Sequence, residues 1–184
     1  MRYFLDTEFL EDGKIIDLIS IGIVSEDHRS FYAISSECDM DRVLADPWLR
    51  ANVWPFIKDD VENGHALPRA EIARQLLEFV HPKQHTAALY RDLLPLHSPE
   101  ESEFWGFNCA YDWVALRQLF GRMIDCPRQL PYFCHDIKQY KNFLHVLELP
   151  RIATGTKHNA LDDAFEVKQM FEFLRAMEYN EFGR

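Results

Sequence analysis

The opening of the chain constrains the fold most. Residues 2–9, 15–24 and 30–35 are three runs rich in β-favouring side chains, separated only by Glu11-Asp12-Gly13-Lys14 and Asp27-His28-Arg29. Connections this short join neighbouring antiparallel strands, because a parallel return needs a crossover of about a dozen residues or more. The chain is therefore predicted to start as a three-stranded antiparallel meander. Residues 15–24 are almost continuously apolar, which predicts a central strand covered on both faces.

The pattern then changes. Residues 41–53 read as a helix capped by Asp39 or Asp41 and interrupted at Pro47. Residues 68–80 read as a helix with Pro68 at its start and Ile72, Leu76, Leu77, Phe79 and Val80 at helical spacing. A short helix is expected at 86–94 and a polar loop at 98–102. A fourth strand at 104–108 leads into an amphipathic helix at 111–120, stopped by Gly121. A short fifth strand is expected at 132–134, then a helix at 137–147, a loop at 150–157 and a final helix at 159–177. A meander followed by alternating strands and helices predicts an α/β fold, a five-stranded mixed sheet flanked by helices. No repeat or linker divides the 184 residues, so 1–184 is expected to be a single domain.

Composition removes several function classes. With 47% hydrophobic residues the chain can build a core, which excludes a largely disordered protein. No apolar run approaches the ~18–20 residues of a membrane-spanning helix. Asp6 interrupts what would be the apolar stretch of a signal peptide, so a cytoplasmic protein is expected. Cys38, Cys109, Cys126 and Cys134 form no CxxC pair, so they are expected to be reduced structural residues and not a zinc ribbon. No glycine-rich dinucleotide or P-loop motif occurs. The net charge of −10 argues against a protein that grips long duplex by charge alone. Between Trp113 and His158, however, seven basic residues face three acids, so that segment is +4 and the remainder −14. This is either ordinary surface variation or a basic wall beside an acidic pocket.

Three short stretches carry acids in suggestive places. Asp6 and Glu8 are two apart on a predicted strand, so both carboxylates share one face among apolar neighbours. Two such groups resist joint ionisation unless a cation lies between them. Asp112 falls in the first turn after a strand-to-helix junction, where it serves either the positive helix end or a site. His158 precedes the last helix and Asp163 follows five residues later, so the acid can face inward while the histidine swings over from the loop. Each stretch is weak alone, and the ordered set is much stronger.

That set, D-x-E at a strand end, an Asp at a strand–helix junction and H-x-x-x-x-D opening a late helix, resembles the DEDD exonucleases of the DEDDh branch. The resemblance spans nearly the whole chain. Residues 2–13 and 105–113 look most like the ribonuclease AS exoribonuclease branch. It implies a ribonuclease-H-like fold and a 3′→5′ exonuclease. It also implies that Asp6, Glu8, Asp112 and Asp163 hold two Mg²⁺ ions, with Mn²⁺ able to substitute, and that His158 is the general base. Such chemistry suits carboxylates, since hard cations prefer oxygen ligands and lower the pKa of water.

The expected substrate is the 3′ end of single-stranded RNA, released as nucleoside 5′-monophosphates. Phe9, Leu10, Trp105 and Tyr111 are the expected substrate-binding residues, by stacking on bases or through backbone contact with the terminal sugar. Two alternatives stand beside this reading: the same chemistry on single-stranded DNA, and a non-catalytic RNA-binding adaptor with the same fold. Many relatives are homodimers, and Phe171, Phe173, Tyr179 and Phe182 are either an interface or core.

Overall fold

The computed structural model describes residues 1–80, 102–150 and 157–182. In it β1 (Arg2–Glu11), β2 (Ile16–Ser25) and β3 (Ser30–Ile34) form the antiparallel meander, and β4 (Glu103–Gly106) and β5 (His135–Asp136) add parallel strands. The strand order is β3-β2-β1-β4-β5. The first turn is built as its sequence suggests: Asp12 Oδ1 accepts from the amides of Lys14 and Ile15, and Gly13 takes a φ of +79°.

Seven α-helices are found among the described residues. They are α1 (Met40–Ala45), α2 (Pro47–Asn52), α3 (Trp54–Glu62), α4 (Arg69–Val80), α5 (Ala110–Gln118), α6 (Ile137–Phe143) and α7 (Ala160–Phe182). The single interrupted helix expected at 41–53 is two helices, capped separately by Asp39 and Asp46, with Pro47 opening the second. Helix α3 was not anticipated. It starts from Val53 with no side-chain cap, and Pro55 in its first turn is the one start signal the sequence carries there. The expected helix at 86–94, the loop at 98–102 and most of the loop at 150–157 lie outside the described residues. Among the described residues no helix is long and apolar enough to cross a membrane.

The fifth strand starts three residues later than expected, at His135 and not at 132. Residues 132–134 do not join the sheet because their segment is tied to α5. Trp113 Nε1 donates to the Tyr132 carbonyl, and Arg117 donates to the carbonyl of Pro131. Helix α6 also stops early, with His145 in the left-handed region at φ +54° just beyond it. The doubt over the C-terminal aromatics resolves by position. Phe171 is buried core, Phe173 packs against the same cluster, and Tyr179 is exposed. The side chain of Phe182 lies outside the described residues.

Alternation along β1 divides the core. Tyr3 and Leu5 face a cluster completed by Ile72 and Leu76 of α4 and Leu116 of α5. Phe4 faces the other way, onto Ile137, Val167, Phe171 and Leu174. Leu10, of the same parity as Phe4, packs with Val43, Leu49 and Ile57 of α1–α3. Asp6 and Glu8 lie between these two apolar clusters on the same face, where the cover is interrupted. A bulge sits beside them: Glu8 pairs with Ser20 but Phe9 with Leu18, leaving Ile19 as the extra residue.

Candidate active site

Three elements bring the predicted acids together. Asp6, Glu8, Asp112, Asp163 and His158 all line one open cleft of about 540 Å³. β1 supplies the first two acids. Asp112 is placed by the junction between β4 and α5, where the chain turns tightly: a Cβ on Gly106 would stand 2.4 Å from Cys109 Cβ, and Asn108 adopts φ +53°. Asp136 pins this turn from the side. Its Oδ2 accepts from the Cys109 amide at 3.0 Å while its Oδ1 caps α6 through the amide of Lys138. Asp112 Oδ1 in turn accepts from the backbone amide of Thr7 (3.0 Å) and from its hydroxyl (2.7 Å). The buried Thr7 thus ties α5 to β1 between the two β1 acids.

Asp163 and His158 come from the start of α7. Asn159 Oδ1 accepts from the amides of Leu161 and Asp162, an N-cap arrangement. Asp163 Oδ2 accepts from the His158 backbone amide at 2.9 Å, and His158 sits at φ +68°. This folds the histidine back over the first turn. One nitrogen of His158 and one oxygen each from Glu8 and Asp163 lie within 4.8 Å of one another.

The electrostatics are those of crowded, partly dehydrated acids. Burial, then the charges of Asp112, Glu8 and Asp163, holds Asp6 well above the ordinary carboxylate range. Burial, with Asp163 and Asp112 nearby, pushes Glu8 up to about 8. Asp163 is raised by burial, against the pull of the His158 amide. Asp112 is raised by burial as well, although the two Thr7 hydrogen bonds favour its charged form. Glu166, one turn along α7, adds to the repulsion felt by Asp6 and Asp163 and was not singled out from sequence. The cleft lining offers carboxylates and one imidazole and no thiol, a donor set that fits hard divalent cations.

The expected substrate-binding residues divide. Phe9 and Leu10 line the cleft. Tyr111 is exposed and stacks on Phe9, with ring centroids 5.8 Å apart and planes 12° from parallel. Trp105 is elsewhere. On β4 it pairs level with Phe4, and it packs on His135 (4.6 Å), Phe171 (4.7 Å) and Tyr140 (5.4 Å). The alternation of β4 turns its side chain into the α6–α7 layer, so it serves the core and not the cleft. Sequence reasoning missed one wall entirely. Asp46, Trp48 and Leu49 of α2 and its cap line the cleft, and the Trp48 ring stands edge-to-face with His158 at 4.8 Å. Pro47 reads from sequence as an interruption and not as a helix start, and no local signal shows what that helix covers.

Two curated relatives from Mycobacterium tuberculosis, named 3′-5′ exoribonuclease Rv2179c (strain ATCC 25618 / H37Rv) and 3′-5′ exoribonuclease MT2234.1 (strain CDC 1551 / Oshkosh), are each 34% identical over 174 residues. The match covers 95% of this chain and 93% of each relative. The profile of the 3′-5′ exoribonuclease Rv2179c-like domain matches residues 1–174, so the chain belongs to that family.

Proposed function

We propose that the cleft is the active site of a metal-dependent 3′→5′ exoribonuclease of the DEDDh, ribonuclease-H-like kind, releasing nucleoside 5′-monophosphates from single-stranded RNA ends. The observation that carries this reading is the convergence of four carboxylates and one imidazole in a single open cleft, in a chain of a 3′-5′ exoribonuclease family. Asp6, Glu8, Asp112 and Asp163 would hold two Mg²⁺ ions. Bound ions of this class lower the pKa of water and shield charge on a reacting phosphate.

The chain's own groups supply the rest. His158, whose backbone is fixed by Asp163, takes the proton from the attacking water. Thr7 orients Asp112 and keeps one of its oxygens occupied. Phe9, backed by Tyr111, offers a face on which a terminal base stacks. Phe9 and Leu10 line the cleft beside the bulge; their backbone would contact the terminal sugar, and a contact to the 2′-hydroxyl would favour RNA over DNA. By the same family likeness we read the protein as a cytoplasmic homodimer.

The test uses 5′-labelled single-stranded RNA and matched DNA with Mg²⁺. Stepwise shortening from the 3′ end of RNA, with monophosphate release, is expected. It should disappear on chelation and in Asp6→Ala and Asp163→Ala proteins that keep their thermal transition. Cleavage at internal positions, or no product with either Mg²⁺ or Mn²⁺, would overturn the reading.

A further inference from the structure

A catalytic histidine needs its ring held, and the usual holder is a carboxylate or carbonyl bonded to the second nitrogen. Among the described residues no carboxylate or carbonyl is hydrogen-bonded to the ring of His158. Among the described residues its only hydrogen bond is the backbone one to Asp163, and its only ring neighbour is Trp48, at 4.8 Å between centroids with planes at 73°. The backbone of His158 is thus fixed by α7, while its imidazole, near the Glu8 and Asp163 carboxylates, has the Trp48 indole as its aromatic neighbour among the described residues.

Trp48 is itself well anchored for that purpose. Its amide donates to the capping Asp46 Oδ1 at 2.8 Å, and the adjacent Leu49 is buried in the α1–α3 cluster. The indole is half exposed and forms part of the cleft wall, so its place is not explained by core packing.

We propose that Trp48 is the positioning residue of the His158 base, an aromatic edge doing the orienting that a hydrogen-bonded acid does elsewhere. The inference rests on the reading of His158 as the base. It gives the α1–α2 segment a role in catalysis: by packing on the sheet it presents the indole that fixes the imidazole over Glu8 and Asp163. An edge-to-face aromatic contact has a preferred geometry, so it selects a ring rotamer without adding a charge to an already acidic site.

Two measurements test it together. In NMR spectra of the metal-free protein, with the His158 ring signals identified by their loss in His158→Gln, cross-relaxation to the Trp48 indole protons is expected. The His158 ring-current shift should vanish in Trp48→Ala and persist in Trp48→Phe. In RNA hydrolysis, Trp48→Ala should lower kcat about 10–100-fold with KM unchanged. Trp48→Phe should restore most of the loss. Trp48→Leu, which keeps bulk without an aromatic edge and guards against collapse of the wall, should be as slow as Trp48→Ala. In the His158→Ala background Trp48→Ala should add nothing, since two residues acting as a unit are non-additive. A raised KM with unchanged kcat would instead make Trp48 a base-stacking platform and overturn the proposal. So would full additivity with His158→Ala, or absence of the ring-to-ring cross-relaxation. If the wild-type protein cleaves no RNA, the proposed function fails, and the NMR measurement still decides the contact.

Discussion

Gly22 pairs directly with Asp6 across β1 and β2, and the hydrogen at its Cα is the seat on which α7 rests. A Cβ there would stand 2.2 Å from the carbonyl oxygen of Ala160 and 2.4 Å from the amide nitrogen of Leu161. These are backbone atoms and cannot rotate away. The close approach is what brings Asp163, one turn along α7, beside Asp6 and Glu8. Gly22→Ala is therefore expected to push the helix start off the sheet. Overpacking of this kind costs about 1–3 kcal/mol, and RNA hydrolysis should fall far more than thermal stability does. Melting curves and kcat measured on the same preparation check this; near-wild-type activity would contradict it.

Stability of the metal-free protein should depend on pH through Glu8. Its folded pKa, about 8, lies above the ordinary 4.5, so the folded state holds a proton that the unfolded chain has released. Stability is then lost as pH rises from about 4.5 to about 8. Glu8→Gln removes this penalty. It should raise the Tm of the metal-free protein at pH 8, by about 2–4 °C for each kcal/mol recovered, and do little at pH 4. Activity should be lost in the same variant.

Divalent ions should reverse the same penalty. Mg²⁺ titrated into the protein at pH 7 is expected to raise Tm, with proton release measurable by calorimetry in buffers of different ionisation enthalpy. Apparent affinity should rise between pH 6 and pH 8, because carboxylates held protonated must first ionise. Asp163→Asn should blunt both effects. A Tm indifferent to Mg²⁺ and Mn²⁺ would count against ion binding in this cleft.

Thr7→Val keeps shape and removes the hydroxyl that donates to Asp112 at 2.7 Å. Hydrogen bonds to charged groups contribute about 1.5–3 kcal/mol. The Asp112 carboxyl should therefore become harder to ionise, and half-maximal activity should require more Mg²⁺. Circular dichroism should be unchanged. Equal Mg²⁺ dependence in the two proteins would show that the hydroxyl is dispensable.

Tyr111→Ala leaves Phe9 without its stacked neighbour and removes no acid. Stacking contributes about 1–3 kcal/mol per base, so KM for single-stranded RNA should rise roughly 5–150-fold with kcat little changed. Trp105→Leu, a change in the α6–α7 layer, should lower Tm and leave KM alone. The reverse pattern between the two variants would reassign the base contact.

Much of the frame was legible because local chemistry specified it. The turns at Asp12-Gly13 and Asp27-His28 are close-range events, and the meander follows from them. The parity of Asp6 and Glu8 follows from the pleat of one strand. The Asn159 cap, Asp163 and the final helix are likewise written within a few residues. Helix α3 was hidden because Val53 provides no cap, and β5 was displaced because α5 side chains claim the carbonyls of Pro131 and Tyr132. Trp105 looked like a base contact by proximity in sequence to Asp112, yet strand alternation turned it into the core.

The linear order of residues by itself determined the meander, its two turns and the shared face of Asp6 and Glu8, since each depends on neighbours a few residues away. What only tertiary packing decided is which groups meet. The seating of α7 on Gly22, the tie between Thr7 and Asp112, and the wall formed by Trp48 against His158 all join segments far apart along the chain. Side-chain burial and close contact select such pairings, and no short stretch of sequence carries a record of its distant partner.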